Sequence, residues 1–512
     1  MNGGLGSPVF FFYPPAPYFI TSLLYPFFGN QTCWRELGVG AAIGLAASGL
    51  CAYTWLRQIG TQRGALISSV LYLWMPYHAA VDLYTRGAYG EFWAFVWMPL
   101  LLYLVHKIKE RKLAACLAFA VSYAILVMTH LPTTLIFSAI LPFYAMIVTQ
   151  RGYRLRSLGL CVAALAVGVG ISAVYLLPAL TTQDSVSMVA MRVGFCYYEN
   201  GFFLPHLAAG NFQLARDHFE RELLWIALSA LGASACAWIL VRRSNLSPGK
   251  KLEASFWTAV GFLAVFMMFP VSKLVYEMLS PLQLIQFPWR FNTILAVASS
   301  GVLALAISCL QRPLRTADRL PIILGCLFLV WGVSANVKPL LGAASSSGPV
   351  LDPNFATGDR VLRDAPEYRP KWAFSDLYSA LENIGQHNGE LDRVKIVVGR
   401  GNVIVKKWRP RHIVLEVYAE SSMLAQISQF YYPAWGARLD GVRAIEVRPS
   451  NAEGLIRIDI PSGAHLVSLV LRKDPQEKLG QTISAITIGA CLFGCIFVKR
   501  RCGVAAPDLH RS

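Results

Sequence analysis

Apolar residues run along this chain in stretches of roughly 17–25, the length a helix needs to cross a hydrocarbon core about 30 Å thick. They fall near 36–57, 64–81, 89–106, 113–129, 132–149, 157–178, 222–241, 254–270, 290–310, 320–337 and 480–498, which predicts eleven spanning helices. Pro76, Pro99, Pro132 and Pro178 are expected near helix ends, where a missing N–H is tolerated. Between 340 and 478 the period changes. VKIVVGRGNVIVKKW, RHIVLEVYAE, SQFYYPAWGARLDG, AIEVRPS and GLIRIDIPSGAHLVSLVLRKD alternate apolar with polar residues between Gly, Pro and Asp turns. That pattern predicts six to eight antiparallel strands in a small β-sandwich. GAASSSGP at 342–349 reads as the linker into it, and Lys499-Arg500-Arg501 stop the final helix before a basic tail at 499–512.

Residues 1–35 are aromatic but broken by Pro14, Pro15, Pro17 and Pro26, without the basic start and cleavage site of a signal peptide. They are expected to lie as an amphipathic segment in the outer interface, anchored by Tyr13, Tyr18 and Tyr25. Counting spans back from the tail then leaves an odd number, as though a first helix and its acidic loop preceded Met1. The expected order is thus an interfacial segment at 1–35, a polytopic helical domain at 36–338, a β-rich domain at 340–478 and a last span at 479–498.

Composition agrees with a membrane protein: 55% of the 512 residues are hydrophobic and only 15% charged, where soluble domains carry about 25%. The net charge of +17 does not point to nucleic acid, because of where it sits. Basic residues gather in alternate short loops, among them Lys107, Lys109, Arg111 and Lys112, then Arg151, Arg154 and Arg156, then Arg242, Arg243, Lys250 and Lys251. This is the positive-inside pattern. It places these loops and the C-terminus in the cytoplasm and the β-rich domain on the exoplasmic side. Of the 75 charged residues, 34 lie in 340–478, and no cysteine does, so that domain has no disulfide frame. The other cysteines mostly lie in apolar spans; Cys33 and Cys196 share the outer side and are the one pair placed to bridge. Walker-type and dinucleotide-type glycine loops, H-E-x-x-H, G-x-S-x-G and zinc-spaced cysteines are absent, which argues against soluble nucleotide chemistry.

Against that background 76–99, PYHAAVDLYTRGAYGEFWAFVWMP, stands out. Asp82, Arg86 and Glu91, with Tyr84 among them, sit between two apolar runs, where charges facing lipid would be costly. They must meet water, each other or a polar ligand. One reading is a functional site; the other is an ion-paired loop that caps a helix pair. His130, in MTHLPTT, is expected on the same side, as a helix cap or as part of the site. Arg290, in QFPWRFN beside Trp289, suits a phosphate through its planar fork and equally suits anchoring at a bilayer edge. In the outer loop 179–221, Tyr197, Tyr198 and Glu199 precede Gly201-Phe202-Phe203, as a lid or a membrane-skimming patch.

SPVFFFYPP, DLYTRGAYGEFWAFVWMPLLL at 82–102, THLP at 129–132, VYLLPAL at 174–180 and QFPWRFN at 286–292 resemble the bacterial membrane proteins named for a 6-pyruvoyl-tetrahydropterin synthase related domain. YYPAWGARLDG and PSGAHLVSLVLRKDP resemble the outer β-domain of YfhO-type membrane proteins. Both groups are similar to GT-C glycosyltransferases, which draw on polyprenyl-phosphate sugars at the outer face of the bacterial plasma membrane. The pterin name carries no chemistry here, since no three-histidine zinc spacing is present. The resemblance implies a lipid-linked sugar donor, membrane lipids around the chain, and an envelope glycan or protein as acceptor. It makes Asp82 and Glu91 the catalytic carboxylates, as base or as ligands of a divalent metal. Arg86 and Arg290 would hold the donor phosphate, with Tyr84, His130 and Trp289 lining the substrate. The departure is that residues 1–34 hold no acid for a first-loop base. Two other functions stay open: a non-catalytic protein whose β-domain binds envelope glycan or a partner, and a transporter or flippase. A flippase would want charges near the midplane on broken helices, whereas these spans are nearly free of them.

Overall fold

A computed structural model describes residues 5–6, 9–28, 33–110, 112–187, 197–203, 211–310, 316–345, 369–373, 386–387 and 390–503. The chain divides into two compact units. One comprises Pro14–Ala173, Gly194–Gly358 and Ile483–Ser512; the other comprises Met1–Tyr13, Val174–Val193 and Asp359–Thr482. The one cysteine pair assigned to the outer side, Cys33 and Cys196, lies outside the described residues, as do 346–349 of the linker, much of the 179–221 loop and the tail beyond 503.

The first unit is helical. Among the described residues seven helices are long and apolar enough to cross a membrane, or eight if Pro248–Phe266 and Pro270–Met278, bent by 97°, form one span. Several expected spans are shorter or broken. The run at 64–81 divides into Gln62–Leu73 and a π-helix, Tyr77–Thr85. The run at 132–149 divides into Leu131–Ser138 and Ile140–Ile147. Pro142 lacks an N–H, and its ring crowds the carbonyl four residues back, at Ser138, where the first piece ends. Leu113–Val127 spans only 15 residues.

Pro99, by contrast, sits inside the continuous helix Tyr89–Ile108 instead of at its end. It strips Phe95 O of its helical donor, and the Tyr72 hydroxyl supplies one at 2.8 Å. In an apolar medium an orphaned carbonyl costs several kcal/mol, so a neighbouring hydroxyl is what lets the helix run on. Pro178 likewise stands within Arg154–Thr181. The two most enclosed helices are Tyr89–Ile108 and Asn292–Cys309, and the short 3-10 turn Pro288–Phe291 leads into the second.

The second unit is built on two sheets. One orders β3 (Val394–Val398), β6 (Met423–Phe430), β10 (Leu455–Ile460) and β9 (Arg448–Pro449). The other orders β4 (Gly401–Arg409), β5 (His412–Ala419), β11 (Gly463–Leu471), β7 (Trp435–Leu439) and β8 (Arg443–Ile445). A separate hairpin pairs β1 (Gln386–His387) with β2 (Glu390–Leu391). All pairings are antiparallel. Alternation dictates the core: Ile413, Leu415 and Val417 from β5 meet Ala425 and Ile427 from β6 and Ile456, Ile458 and Ile460 from β10.

The unit also takes chain from far outside 340–478. Leu5 and Val186 lie in this core, Leu5 O accepts from Phe430 N at 2.7 Å, and Val186 bridges to Pro370. The N-terminal 35 residues therefore do not act as one interfacial segment, since their first part completes the β unit. The rest forms short helices such as Ala16–Ser22 in the helical unit, with Phe19 and Phe27 exposed.

Candidate active site

The segment that stood out in sequence folds into a buried ion network in the helical unit. Tyr77–Thr85 is π-helical, so Arg86 N bonds back five residues to Val81 O at 2.8 Å. Single π turns recur at functional sites because they re-aim side chains. Here Asp82 and Arg86 meet at 2.7 Å, Asp82 Oδ1 to Arg86 Nη1. The chain then enters Tyr89–Ile108, whose first turn carries Glu91. Gly90 lets that turn sit against the 129–130 corner: a Cβ there would come within 2.8 Å of Thr129 O.

Glu91 is the hub. Oε2 accepts from Arg86 Nη1 at 2.9 Å and from Arg290 Nε at 3.2 Å. Oε1 accepts from the Tyr77 hydroxyl at 2.7 Å and from Thr293 at 3.4 Å. Arg290 is held in turn by Ile285 O at 2.6 Å, and its guanidinium lies 5.0 Å from the Phe287 ring. Arg86 lies 4.5 Å over the ring of buried Trp289. Two carboxylates and two guanidiniums make the cluster neutral, the arrangement in which buried charge is tolerated.

Asp82 differs from Glu91. Its Oδ1 is bound to Arg86, while Oδ2 is buried and has no hydrogen-bond partner. The side chains of Asp82 and Glu91 are 0% and 1% exposed, against 14% and 11% for Arg86 and Arg290, so the cations form the outer layer. Arg86 spends only Nη1, and Arg290 only Nε and Nη1, on the bonds among described residues. Donors remain on both.

The acids thus do not face water directly, as a chamber lined by them would require; they meet the arginines and are joined through Arg86. His130 caps Leu131–Ser138, accepting from Thr133 N at 3.4 Å, and its Nε2 lies 3.9 Å from Glu91 Oε2, so it is both cap and neighbour. Trp289 packs on the cation. Tyr84 is 61% exposed and outside the network, because two residues on from Asp82 it lies on the opposite side of the helix. Sequence reasoning missed Tyr77 and Thr293. Thr293 is one turn beyond Arg290, a visible signal; Tyr77 reaches Glu91 only through the π turn. As a divalent-metal seat the cluster fits poorly, because only Asp82 Oδ2 is an open carboxylate oxygen and guanidiniums flank it. Among the described residues no three acid, histidine or cysteine side chains are placed to hold a metal.

At the described end of the loop expected as a lid or a skimming patch, the aromatic residues pack inward. Tyr198, Phe202 and Phe203 are buried, Tyr198 stacks on Tyr276, and Glu199 pairs with Lys273 at 2.8 Å.

Residues 10–340 match the profile of the 6-pyruvoyl-tetrahydropterin synthase related domain, a membrane-protein family. No curated protein matches the chain.

Proposed function

The chain belongs to the 6-pyruvoyl-tetrahydropterin synthase related family of membrane proteins, and from that premise we propose that it is a GT-C-type glycosyltransferase. It moves a sugar from a polyprenyl-phosphate donor to a cell-envelope acceptor at the outer face of the bacterial plasma membrane. The basic loops support that orientation.

One observation carries the reading: Asp82 Oδ2, a buried carboxylate oxygen without a partner, beside two guanidiniums with donors to spare. A buried acceptor left unbonded is costly, and such sites are where a protein keeps chemistry ready. Asp82 takes the proton of the acceptor hydroxyl, which must pass the Arg86 and Arg290 layer to reach it, as the hydroxyl oxygen bonds the sugar's anomeric carbon. The bond from that carbon to the donor phosphate breaks, and the phosphate leaves with the electron pair. Free N–H groups of Arg86 and Arg290 stabilise that charge. Glu91, its oxygens already spent, holds the arginines in place.

The test is transfer from a polyprenyl-phosphate sugar by the full chain in proteoliposomes. Asp82→Asn is expected to lower the rate by about 10²-fold or more while the protein stays folded. Wild-type turnover in that variant sinks the reading.

A further inference from the structure

The β unit contains a cavity of about 790 Å³ that the transfer chemistry does not use. Specific small-molecule sites run to about 300–1,000 Å³, mostly apolar with a few polar groups. The walls here are Phe10, Phe11, Trp408, Tyr432, Trp435 and Leu471.

One wall is a strap of chain from far away in sequence. Gly6 lies across the sheet, its φ at +78° and its α-carbon so close to Gln429 that any Cβ would collide with that side chain. Gln429 Nε2 donates to Gly6 O at 3.2 Å, and the Tyr175 hydroxyl donates to Phe12 O at 2.9 Å. Phe10 and Phe11 stand against the cavity next to the tied Phe12, and half of Phe10 remains exposed.

The rim is charged. Arg411 is spent on a two-pronged pair with Glu477, at 3.0 and 2.9 Å. Arg472 is exposed, and its guanidinium makes no ion pair or hydrogen bond among the described residues. The rim also includes Thr182 and Asp474. Thr182 follows the apolar helix that ends at Thr181, and Asp474 precedes the one that starts at Pro475. Both are apolar and long enough to span a bilayer.

We propose that this cavity binds an anionic membrane amphiphile, its apolar chain among the aromatic walls and its phosphate on Arg472. The volume, the apolar lining and the unspent guanidinium of Arg472 fit that ligand, with the phosphate on the Arg472 side of the rim, away from Asp474. The ligand's source is either an isoprenyl phosphate or a diacyl phosphatidate. The inference does not depend on Asp82, because its test reads binding and not transfer.

The experiment uses the full chain in nanodiscs of zwitterionic lipid with three photoreactive probes: a diazirine-bearing farnesyl phosphate, the matching prenol without phosphate, and a diazirine-bearing phosphatidic acid. Labelled peptides are mapped by mass spectrometry. At least one phosphate probe is expected to label Phe10–Phe12, Trp408 or Trp435. Which one labels more strongly identifies the source. Ala434→Trp, which fills the cavity, should remove that labelling. Arg472→Gln, a surface change, should weaken it by about tenfold for the phosphate probe, as loss of a charge-assisted contact does, and leave the prenol unchanged. Labelling confined to the spanning helices overturns the proposal. So does cavity labelling that neither substitution alters.

Discussion

One helix, Tyr89–Ile108, carries a buried polar cluster toward each end, and the two are built differently. Near its start Glu91 joins Asp82, Arg86 and Arg290 in a neutral set of four full charges. Fifteen residues on, about 22 Å along the axis, His106 Nε2 lies 2.8 Å from the Tyr144 hydroxyl. That hydroxyl donates to Glu253 Oε1 at 2.6 Å and accepts from Trp55 Nε1 at 3.0 Å. Glu253 has no ion pair among the described residues, and Trp55 and Trp257 pack around Tyr144. The second cluster handles one acid with neutral donors and aromatic packing. The first gathers compensating charge and still leaves one carboxylate oxygen free. Polarity buried in a membrane protein does not by itself mark chemistry; an unspent acceptor beside unspent cationic donors does.

The largest effect should come from breaking the hub. Glu91→Ala leaves Arg86 and Arg290 buried without their shared anion, a loss of about 3–5 kcal/mol. Thermal unfolding in detergent should show it as a large drop in midpoint, and an unchanged midpoint would mean Glu91 is not the anchor. Tyr144→Phe at the other cluster removes the donor to buried Glu253, costing about 1–3 kcal/mol. It should leave the transfer rate per folded molecule at the wild-type level; a collapse in that rate would erase the contrast between the clusters.

The smallest effect lies outside both, in the β unit. Asp440 accepts from Leu466 N at 2.7 Å and contacts His465 Nδ1 at 2.8 Å. The backbone N–H first, and the histidine second, hold its carboxyl below the usual range. A depressed folded value stabilises above the ordinary carboxylate range, and that stabilisation is lost as pH falls through the folded value. Asp440 sits at φ +53°, which Asn adopts readily. Asp440→Asn should therefore melt slightly below wild type at neutral pH and converge with it in acid. A difference that persists in acid would place the effect elsewhere.

Much of this was legible in the chain. Long apolar runs mark spans, and the alternation of Ile413, Leu415 and Val417 marks a half-buried strand. Asp82 and Arg86 meet because a four-residue spacing puts them on one face of a helical turn, and Glu91 joins them from the first turn of the next helix. Three features were not legible, for separable reasons. The π winding at 77–85 depends on packing, so the Tyr77–Glu91 bond does not show in spacing. Pro99 reads as a helix end unless Tyr72 is known to cap Phe95 O. Leu5 and Val186 join the β core through contacts that bridge hundreds of residues, beyond any local pattern.

The central claim divides labour between two acids: Glu91 positions the arginines, and Asp82 does the chemistry. The most direct measurement compares Asp82→Asn with Glu91→Gln in one preparation, reading sugar transfer and unfolding midpoint together. The account predicts that Asp82→Asn, which leaves Arg86 its bond to Glu91, loses less midpoint than Glu91→Gln and yet loses transfer per folded molecule, whereas Glu91→Gln loses midpoint first and transfer with it. Transfer at the wild-type rate in Asp82→Asn, or an undisturbed midpoint in Glu91→Gln, would contradict it.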